Sequence, residues 1–350
     1  MTSLAPLATT TKVTELPVLD LSLLQGTATE RACFIEQLRL TARDVGFFYV
    51  IGHGVSEAKQ QAMLQLAKDF FALPLADKRQ VQMLNSAHFR GYTGFQGEVT
   101  RGKPDQREQF DIMKEDEVLG LPTQDALWRR LIGPNQWPAQ LPAMRQELLQ
   151  FQQRLSDITV LLLESLMQAL QLPADALADT IEDGPYQHMK LIHYPGAHAT
   201  TSNQGVGAHK DPGYLTLVLQ DSQSGLQVET ADGWIDAAPL PGAFVVNIGE
   251  LLELASNGYL KATMHRVVTP QAGIERFSCA FFMAAQLDAT VPLLPLSAEL
   301  AAEAQGPASD PNNPLFHQVG ANVLKGRLRS HPDVAARHYS DVLPELAKVG

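Results

Sequence analysis

Cysteine is nearly absent from this chain of 350 residues. Cys33 and Cys279 stand alone, outside any pair spacing that suggests a zinc or dithiol site. A chain this long buries roughly three quarters of its unfolded surface, so it needs neither disulfides nor a structural metal to fold. Positive charge is also scarce. With 27 Lys and Arg against 38 Asp and Glu the net charge is -11, which argues against nucleic acid or an anionic membrane as the main partner. A local basic pocket for a small anion remains compatible with that balance. No apolar run approaches the length of a bilayer span, and the stretch around 159–163 is far too short. The N-terminus lacks the basic and apolar regions of a secretory signal, so residues 1–14 read as a short polar tail and a cytoplasmic location is expected. Internal repeats and low-complexity segments are missing. So are a Walker-type phosphate loop ("GHG" at 52–54 has neither the lysine nor the spacing) and a G-x-S-x-G nucleophile elbow.

The remaining composition, 45% hydrophobic and 19% charged, is that of an ordinary globular protein. The pattern predicts a short strand over 16–21 and a helix over 29–44, with apolar Phe34, Ile35, Leu38 and Ala42 at helical spacing and Gly46 as its stop. A buried strand over 47–52 follows. Ser56 is the expected N-cap of a helix ending before Pro74. Residues 85–111 read as a long polar loop with short strands, whose Arg90, Tyr92, Phe95, Arg101 and Lys103 are candidates to line a substrate mouth. A long helix is expected from about Pro142, with Leu148, Phe151, Leu155, Ile158, Leu162 and Leu166 on one face, packing as a spine under a sheet.

From Tyr186 the pattern changes to short strands punctuated by Gly, Asn, Asp and Pro, over 189–194, 207–211, 215–219, 226–230, 234–237, 244–248, 263–268 and 277–283. Many short strands at this spacing suggest a sandwich or jelly roll. Trp234 and Phe244 are expected in its core, and Asn247 and Glu250 at the turn after a strand. Residues 298–350 read as mixed loop and helix.

One short stretch carries chemistry. In "GAHKDPGYLTLVLQD" (207–221), His209 and Asp211 are two positions apart, and on a strand such residues share a face. Two histidines and one carboxylate make a facial triad that suits non-haem Fe(II) and leaves positions open. H-x-D alone is a weak signal, since a loop histidine beside a turn-capping aspartate is commoner. The third ligand must come from His53, His88, His188, His193, His198, His265, His317, His331 or His338. His265 stands out, in "KATMHRVV" within a predicted strand. His193 is also on a predicted strand, His53 sits in a Gly-flanked turn, and His331 and His338 fall in a polar tail. Downstream, "ERFSCAFF" puts Arg276 and Ser278 on one strand face, a fork and a hydroxyl suited to a carboxylate. The plain alternative pairs Arg276 with a buried acid such as Asp221.

Taken together, H-x-D, a histidine about 55 residues on, and R-x-S resemble the isopenicillin N synthase-like family of Fe(II)/2-oxoglutarate-dependent oxygenases. "GLQV", "GWIDAAPLPGAFVVNIGELLELASNGYLKATMHRVV" and "RFSCAFF" resemble its core domain. "LPVLDLS", "DVGFFYVIGHGV" and "FFALPLADKRQV" resemble its N-terminal region. "RGYTGF", "GEVTRGKPDQREQFDI" and "GPNQWP" resemble bacterial members. The likeness spans about residues 15–340. It implies an α+β chain with a double-stranded β-helix (jelly-roll) core flanked by helices and a mostly helical N-terminal region. The expected division is a polar tail (1–14), an N-terminal dioxygenase-type region (15–135), a spine helix and connector (136–183), the jelly-roll core (184–286) and a C-terminal helix and loop region (287–350). The resemblance implies Fe(II) on His209, Asp211 and His265, and the distal carboxylate of 2-oxoglutarate on Arg276 and Ser278 with help from Tyr194. Plant members often carry Asn two residues before that tyrosine. Ile192 stands there instead, so one contact is missing or replaced.

The activity implied is oxidation of a small molecule by O2, as hydroxylation or desaturation, with release of succinate and CO2 and with ascorbate as an accessory reductant. The alternative is an Fe(II) oxidase that needs no 2-oxoglutarate, as isopenicillin N synthase itself uses its R-x-S pair for the peptide substrate. A metal-bearing jelly-roll sensor without turnover is the reading from another class, and no basic stripe supports it. A zinc hydrolase could use the same three ligands but would leave Arg276 and Ser278 unexplained. No nucleic-acid or membrane partner is expected, and a monomer is compatible with the sequence.

Overall fold

The structure, a computed structural model, describes residues 15–118, 124–196, 202–308, 310 and 313–342. The polar tail and His198 lie outside the described residues. The N-terminal elements follow local chemistry closely. Strand β1 (Val18–Asp20) leads to helix α1 (Ala28–Asp44), which opens on a reciprocal cap. The Thr27 hydroxyl accepts from the Glu30 backbone N–H, and the Glu30 carboxylate accepts from the Thr27 N–H. Phe34, Leu38 and Ala42 form its buried stripe, and each large apolar side chain so buried contributes about 1.5–3 kcal/mol. Gly46 then turns the chain at φ +69°, where an added Cβ would lie 2.0 Å from the Lys261 carbonyl oxygen.

Strand β2 (Phe47–Ile51) follows, and Ser56 caps α2 (Glu57–Phe71) as expected. As expected, α2 ends before Pro74. Pro74 then serves as N-cap of a further short helix, α3 (Leu75–Gln80). Strands β3 (Gly91–Thr93), β4 (Val99–Thr100), β5 (Lys103–Pro104) and β6 (Glu108–Met113) occupy the polar segment. The spine helix α4 runs Met144–Ala169. It begins two residues after Pro142, from an Ala143 N-cap that makes no side-chain bond.

The C-terminal half builds two sheets from β7 (Tyr186–Tyr194), β8 (Gln204–His209), β9 (Leu215–Gln220), β10 (Leu226–Thr230), β11 (Gly233–Asp236), β12 (Phe244–Ile248), β13 (His265–Val268) and β14 (Arg276–Ala284), with α5 (Glu250–Ala255) after β12. The large sheet has the order β1-β2-β12-β9-β14-β7-β6-β3 and the small one β11-β10-β13-β8, while β4 and β5 form a separate hairpin. Alternation along the large sheet divides the core in two. Phe277, Cys279, Phe281 and Met283 of β14 join Met189 and Leu191 of β7 in a cluster with α1, α2 and α4. Ala280, Ile192 and Tyr194 belong to a second cluster with Val206, Leu226, Val228 and Val267 of the small sheet. The jelly roll thus has a helix-backed outside and an enclosed inside. Helices α6 (Ala298–Glu303), α7 (Val319–Ser330) and α8 (Pro332–His338) complete the chain. Among the described residues no helix is long and apolar enough to cross a membrane.

Candidate metal and carboxylate site

The small sheet brings two histidines face to face. His265 opens β13, and its register partner on β8 is His209, the last residue of that strand. Asp211 lies beyond the strand, in the turn leading to β9, so the shared-face argument for H-x-D is corrected. A pinned turn, not strand alternation, sets the aspartate beside the imidazole. The Asp211 carbonyl accepts from Glu250 N–H at 2.7 Å, and Gly249 N–H donates to the Tyr214 carbonyl at 2.8 Å. Any Cβ at Gly249 would approach the Gly213 oxygen to 2.1 Å, so the turn and the β12–α5 junction interlock.

The Nε2 atoms of His209 and His265 each lie 3.5 Å from Asp211 Oδ1, and one ligand atom from each of the three falls within 4.8 Å of the others. His209 Nδ1 donates to the Gly207 carbonyl at 2.8 Å and His265 Nδ1 to the Thr263 carbonyl at 3.2 Å. Both rings therefore carry a proton on Nδ1 and point Nε2 toward Asp211, the orientation in which Nε2 can serve as a metal ligand. Asp211 Oδ2 accepts from the Thr216 hydroxyl at 2.6 Å and the Asn247 amide at 2.8 Å, which leaves Oδ1 for the centre. Burial drives the Asp211 carboxyl toward the neutral form, but the imidazoles of His265 and His209 outweigh it and hold the carboxyl well below its ordinary value. Burial likewise lowers His265, and Asp211 reverses this, for a net rise. Asp211 and His265 are buried, while His209 is about one-third exposed on its side chain, so the centre opens on that side. Two imidazole nitrogens and one carboxylate oxygen on a common point fit a divalent transition metal.

Arg276 begins β14, directly opposite Tyr194 on β7. Its guanidinium carbon lies 5.0 Å from the Tyr194 ring centre, Nη2 donates to Gln220 Oε1 at 2.9 Å, and Nη1 reaches Ser278 Oγ at 3.4 Å. Arg276 is 1% exposed, and its Nε has no hydrogen-bond partner among the described residues. Asp221 is not its counter-ion, because the Asp221 carboxylate accepts from the Phe277 and Gln223 backbone N–H groups. Among the described residues Arg276 makes no ion pair with an acid. A buried, unpaired guanidinium is costly, and a carboxylate ligand resolves that cost.

The other histidines have other work. His193 faces outward, bonds Glu108 and Glu275 and stacks on Phe277. His53 bonds the Gly242 carbonyl, His88 that of Arg130 and His317 that of Val291. The polar-tail reading fails for His331 and His338. His331 is fully buried, 3.5 Å from Glu98, and His338 donates to the Leu84 carbonyl. Trp234 is half-buried under the Arg266 guanidinium at 4.1 Å, whereas Phe244 is in the core. Asn247 lies within β12 and holds Asp211, so it is not a turn residue. In the loop, Arg101 and Lys103 stay exposed and Tyr92 turns to the helix side to bond Glu108.

A polar interior wall escaped the sequence reading. Lys190 of β7 pairs with Glu98 at 2.8 Å, Arg107 also pairs with Glu98, and His188 bonds Asp111 at 2.6 Å. Arg327 of α7 reaches Asp111 at 3.4 Å. Among the described residues, Gln109 Nε2 and Asp111 Oδ2 are buried without partners. The alternating rows "QFD" and "HMKLIHY" carry the signal as polar residues among apolar ones, but which face they take depends on the partner strands.

Comparison with known proteins follows the same lines. Residues 16–140 match the model described as the non-haem dioxygenase in morphine synthesis N-terminal region, and residues 185–285 match the 2OG-Fe(II) oxygenase superfamily. The 2-oxoglutarate-dependent dioxygenase frbJ of Dothideomycetidae sp. (strain 11243) is 33% identical, with 95% of each chain covered. Homoarginine-6-hydroxylase 2-ODD-C23.1 of Arabidopsis thaliana is 36% identical over 73% of this chain and 78% of its own. The crystal structure of the dioxygenase for auxin oxidation in rice shares the fold at TM-score 0.63 and 27% identity, covering 90% of this chain and 95% of that one.

Proposed function

We propose, from the premise that the chain belongs to the 2OG-Fe(II) oxygenase superfamily, that His209, Asp211 and His265 hold its Fe(II) and that Arg276, Ser278 and Tyr194 hold the distal carboxylate of 2-oxoglutarate. The protein is a 2-oxoglutarate-dependent dioxygenase acting on a small molecule, and it uses Fe(II), 2-oxoglutarate and O2. The observation that carries the residue assignment is the convergence of three ligand atoms on Asp211 Oδ1 in the same enclosed interior as an unpaired, buried Arg276. When bound, the metal would activate O2, the oxidant, with 2-oxoglutarate supplying two electrons and leaving as succinate and CO2. The chain's own task is positional. Gly207 and Thr263 fix the imidazole tautomers, Thr216 and Asn247 fix the carboxylate, and Arg276 over Tyr194 gives an anion one orientation. Gln109, register partner of Ile192 across β6–β7, offers an unpartnered amide beside the position where plant members carry Asn.

The polar wall supports a small polar substrate, oxidised by hydroxylation or desaturation. Asp111 Oδ2 and Gln109 Nε2 give it an acceptor and a donor, and the homoarginine-6-hydroxylases among the relatives act on a molecule of that kind. The same proposal includes the division at 15–135, 136–183, 184–286 and 287–350, supported by the change from helices to strands at Tyr186. It includes a cytoplasmic location, supported by two unpaired cysteines. It also places the chain in the isopenicillin N synthase-like group as a bacterial member, supported by the "RGYTGF" and "GEVTRGKPD" wording.

Anaerobic loading with Fe(II), then addition of 2-oxoglutarate, tests the site. A visible charge-transfer band saturating near one equivalent is expected. Iron binding without a band would mean that Arg276 holds a substrate carboxylate instead, as in an oxidase that needs no 2-oxoglutarate.

A further inference from the structure

A second buried arginine has no acid partner among the described residues, and it lies outside the proposed iron centre. Arg90 precedes β3 and is 2% exposed. Its Nη2 donates to the Leu131 carbonyl at 3.1 Å, while Nε and Nη1 have no partner among the described residues. At least three of its five N–H bonds are thus unused, and burial pushes the guanidinium down to about 10. Arg90 lines a cleft of about 570 Å³, within the range of small-molecule sites. None of His209, Asp211, His265, Arg276 or Ser278 lines it. Trp128, Leu131, Ile132 and Leu287 supply apolar walls, and the Gln286 side-chain oxygen, also buried and unpartnered, is an acceptor in the same cleft.

We propose that this cleft is a second small-molecule site, which takes a compact monocarboxylate with its anionic end on Arg90 and its apolar body against Trp128 and Leu287. A single negative charge fits better than a phosphate dianion. The lining balances Asp116, Asp183 and Asp288 against Arg90, Lys114 and Arg129, so beyond the unpaired fork of Arg90 it offers no net positive charge to hold a second ligand charge. Arg327 stands near Arg90 and also bonds the Tyr186 hydroxyl at 3.3 Å and Asp111 at 3.4 Å. It links the cleft to the polar wall of the barrel without placing the cleft inside it.

Benzoate is a suitable probe, with benzamide and inorganic phosphate as comparators. Each is titrated calorimetrically into the anaerobic Fe(II)–2-oxoglutarate complex, in which Arg276 is already filled. Benzoate is expected to saturate at one equivalent, with benzamide and phosphate at least tenfold weaker and with the charge-transfer band undisturbed. Arg90→Gln should weaken benzoate at least tenfold while keeping the band. Equal binding of benzoate and benzamide, loss of the band as benzoate binds, or unchanged affinity in Arg90→Gln would each overturn the proposal. Should Arg90→Gln fail to fold, Ala126→Phe fills the cleft from its rim with Arg90 retained, and full benzoate affinity in that variant would also overturn it.

Discussion

Asn247 donates its side-chain amide to Asp211 Oδ2 at 2.8 Å, across the gap between β12 and the turn after β8. With the Thr216 hydroxyl on the same oxygen at 2.6 Å, one side of the carboxylate is fully used and the other is aimed between two imidazoles. Asn247→Ala and Thr216→Val each remove one of these supports without touching a metal ligand. Losses of this kind weaken metal affinity by about 10–100-fold. Fe(II) titration of the two variants checks this, and wild-type affinity in both would make the contacts packing features only.

Removing a ligand itself has a harsher effect. His209→Ala and His265→Ala leave two donors, and stoichiometric iron binding is expected to disappear in each. Metal analysis after anaerobic loading and desalting reads the outcome directly. Full occupancy in both variants would refute the assignment of the triad.

Arg276→Ala separates cosubstrate from metal. Hydrogen bonds to a charged group contribute about 1.5–3 kcal/mol, so 2-oxoglutarate affinity should fall at least tenfold. Iron affinity should stay within twofold, since Arg276 bonds only Gln220 and Ser278 among the described residues. The charge-transfer titration gives both constants. An unchanged cosubstrate affinity would move Arg276 to the substrate or to structure.

The jelly-roll strands are legible because periodicity is local, and the family resemblance picks out His209, Asp211 and His265, which the fold brings together. The position of Asp211 was not legible, because the strand ends at His209 and the turn beyond is set by Gly213 against Gly249, residues 36 positions apart in the chain. Asn247 looked like a turn residue for the same reason, since its role depends on which strand lies beside β12. Pro74 marks the end of α2 correctly but also opens α3, because proline equally suits a helix start. His331 reads as part of a polar tail, and only the packing of α7 and α8 buries it. A buried polar network is a property of several distant elements, and no window of sequence contains it.

The two cysteines should differ sharply in reactivity. Cys33 is exposed on α1, whereas Cys279 is 1% exposed on β14 and burial pushes its thiol up to about 12. The thiolate is the reactive form, so iodoacetamide at neutral pH should label Cys33 alone in the native protein and both residues in denaturant. Peptide mapping distinguishes the cases, and rapid native labelling of Cys279 would mean that β14 opens locally.

His188 should make the fold acid-sensitive in a defined window. Its Nε2–H donates to Asp111 at 2.6 Å, its ring stacks on Phe282 at 5.1 Å, and Arg327 and Lys190 are its cationic neighbours. Burial, then Arg327, drives its pKa from 6.5 down to about 3, against the pull of Asp111. The folded protein therefore refuses a proton that the unfolded chain accepts below about pH 6.5. Stability from this group is complete above that pH and declines as pH falls toward 3, at a limiting slope of about 1.4 kcal/mol per pH unit. His188→Asn loses part of the contact and will start less stable, so the slopes are compared and not the absolute values. Urea unfolding from pH 7 to 5 should show a shallower decline in the variant, by up to about one proton's worth of linkage. Parallel slopes would mean that His188 takes up its proton as readily in the fold as in the open chain.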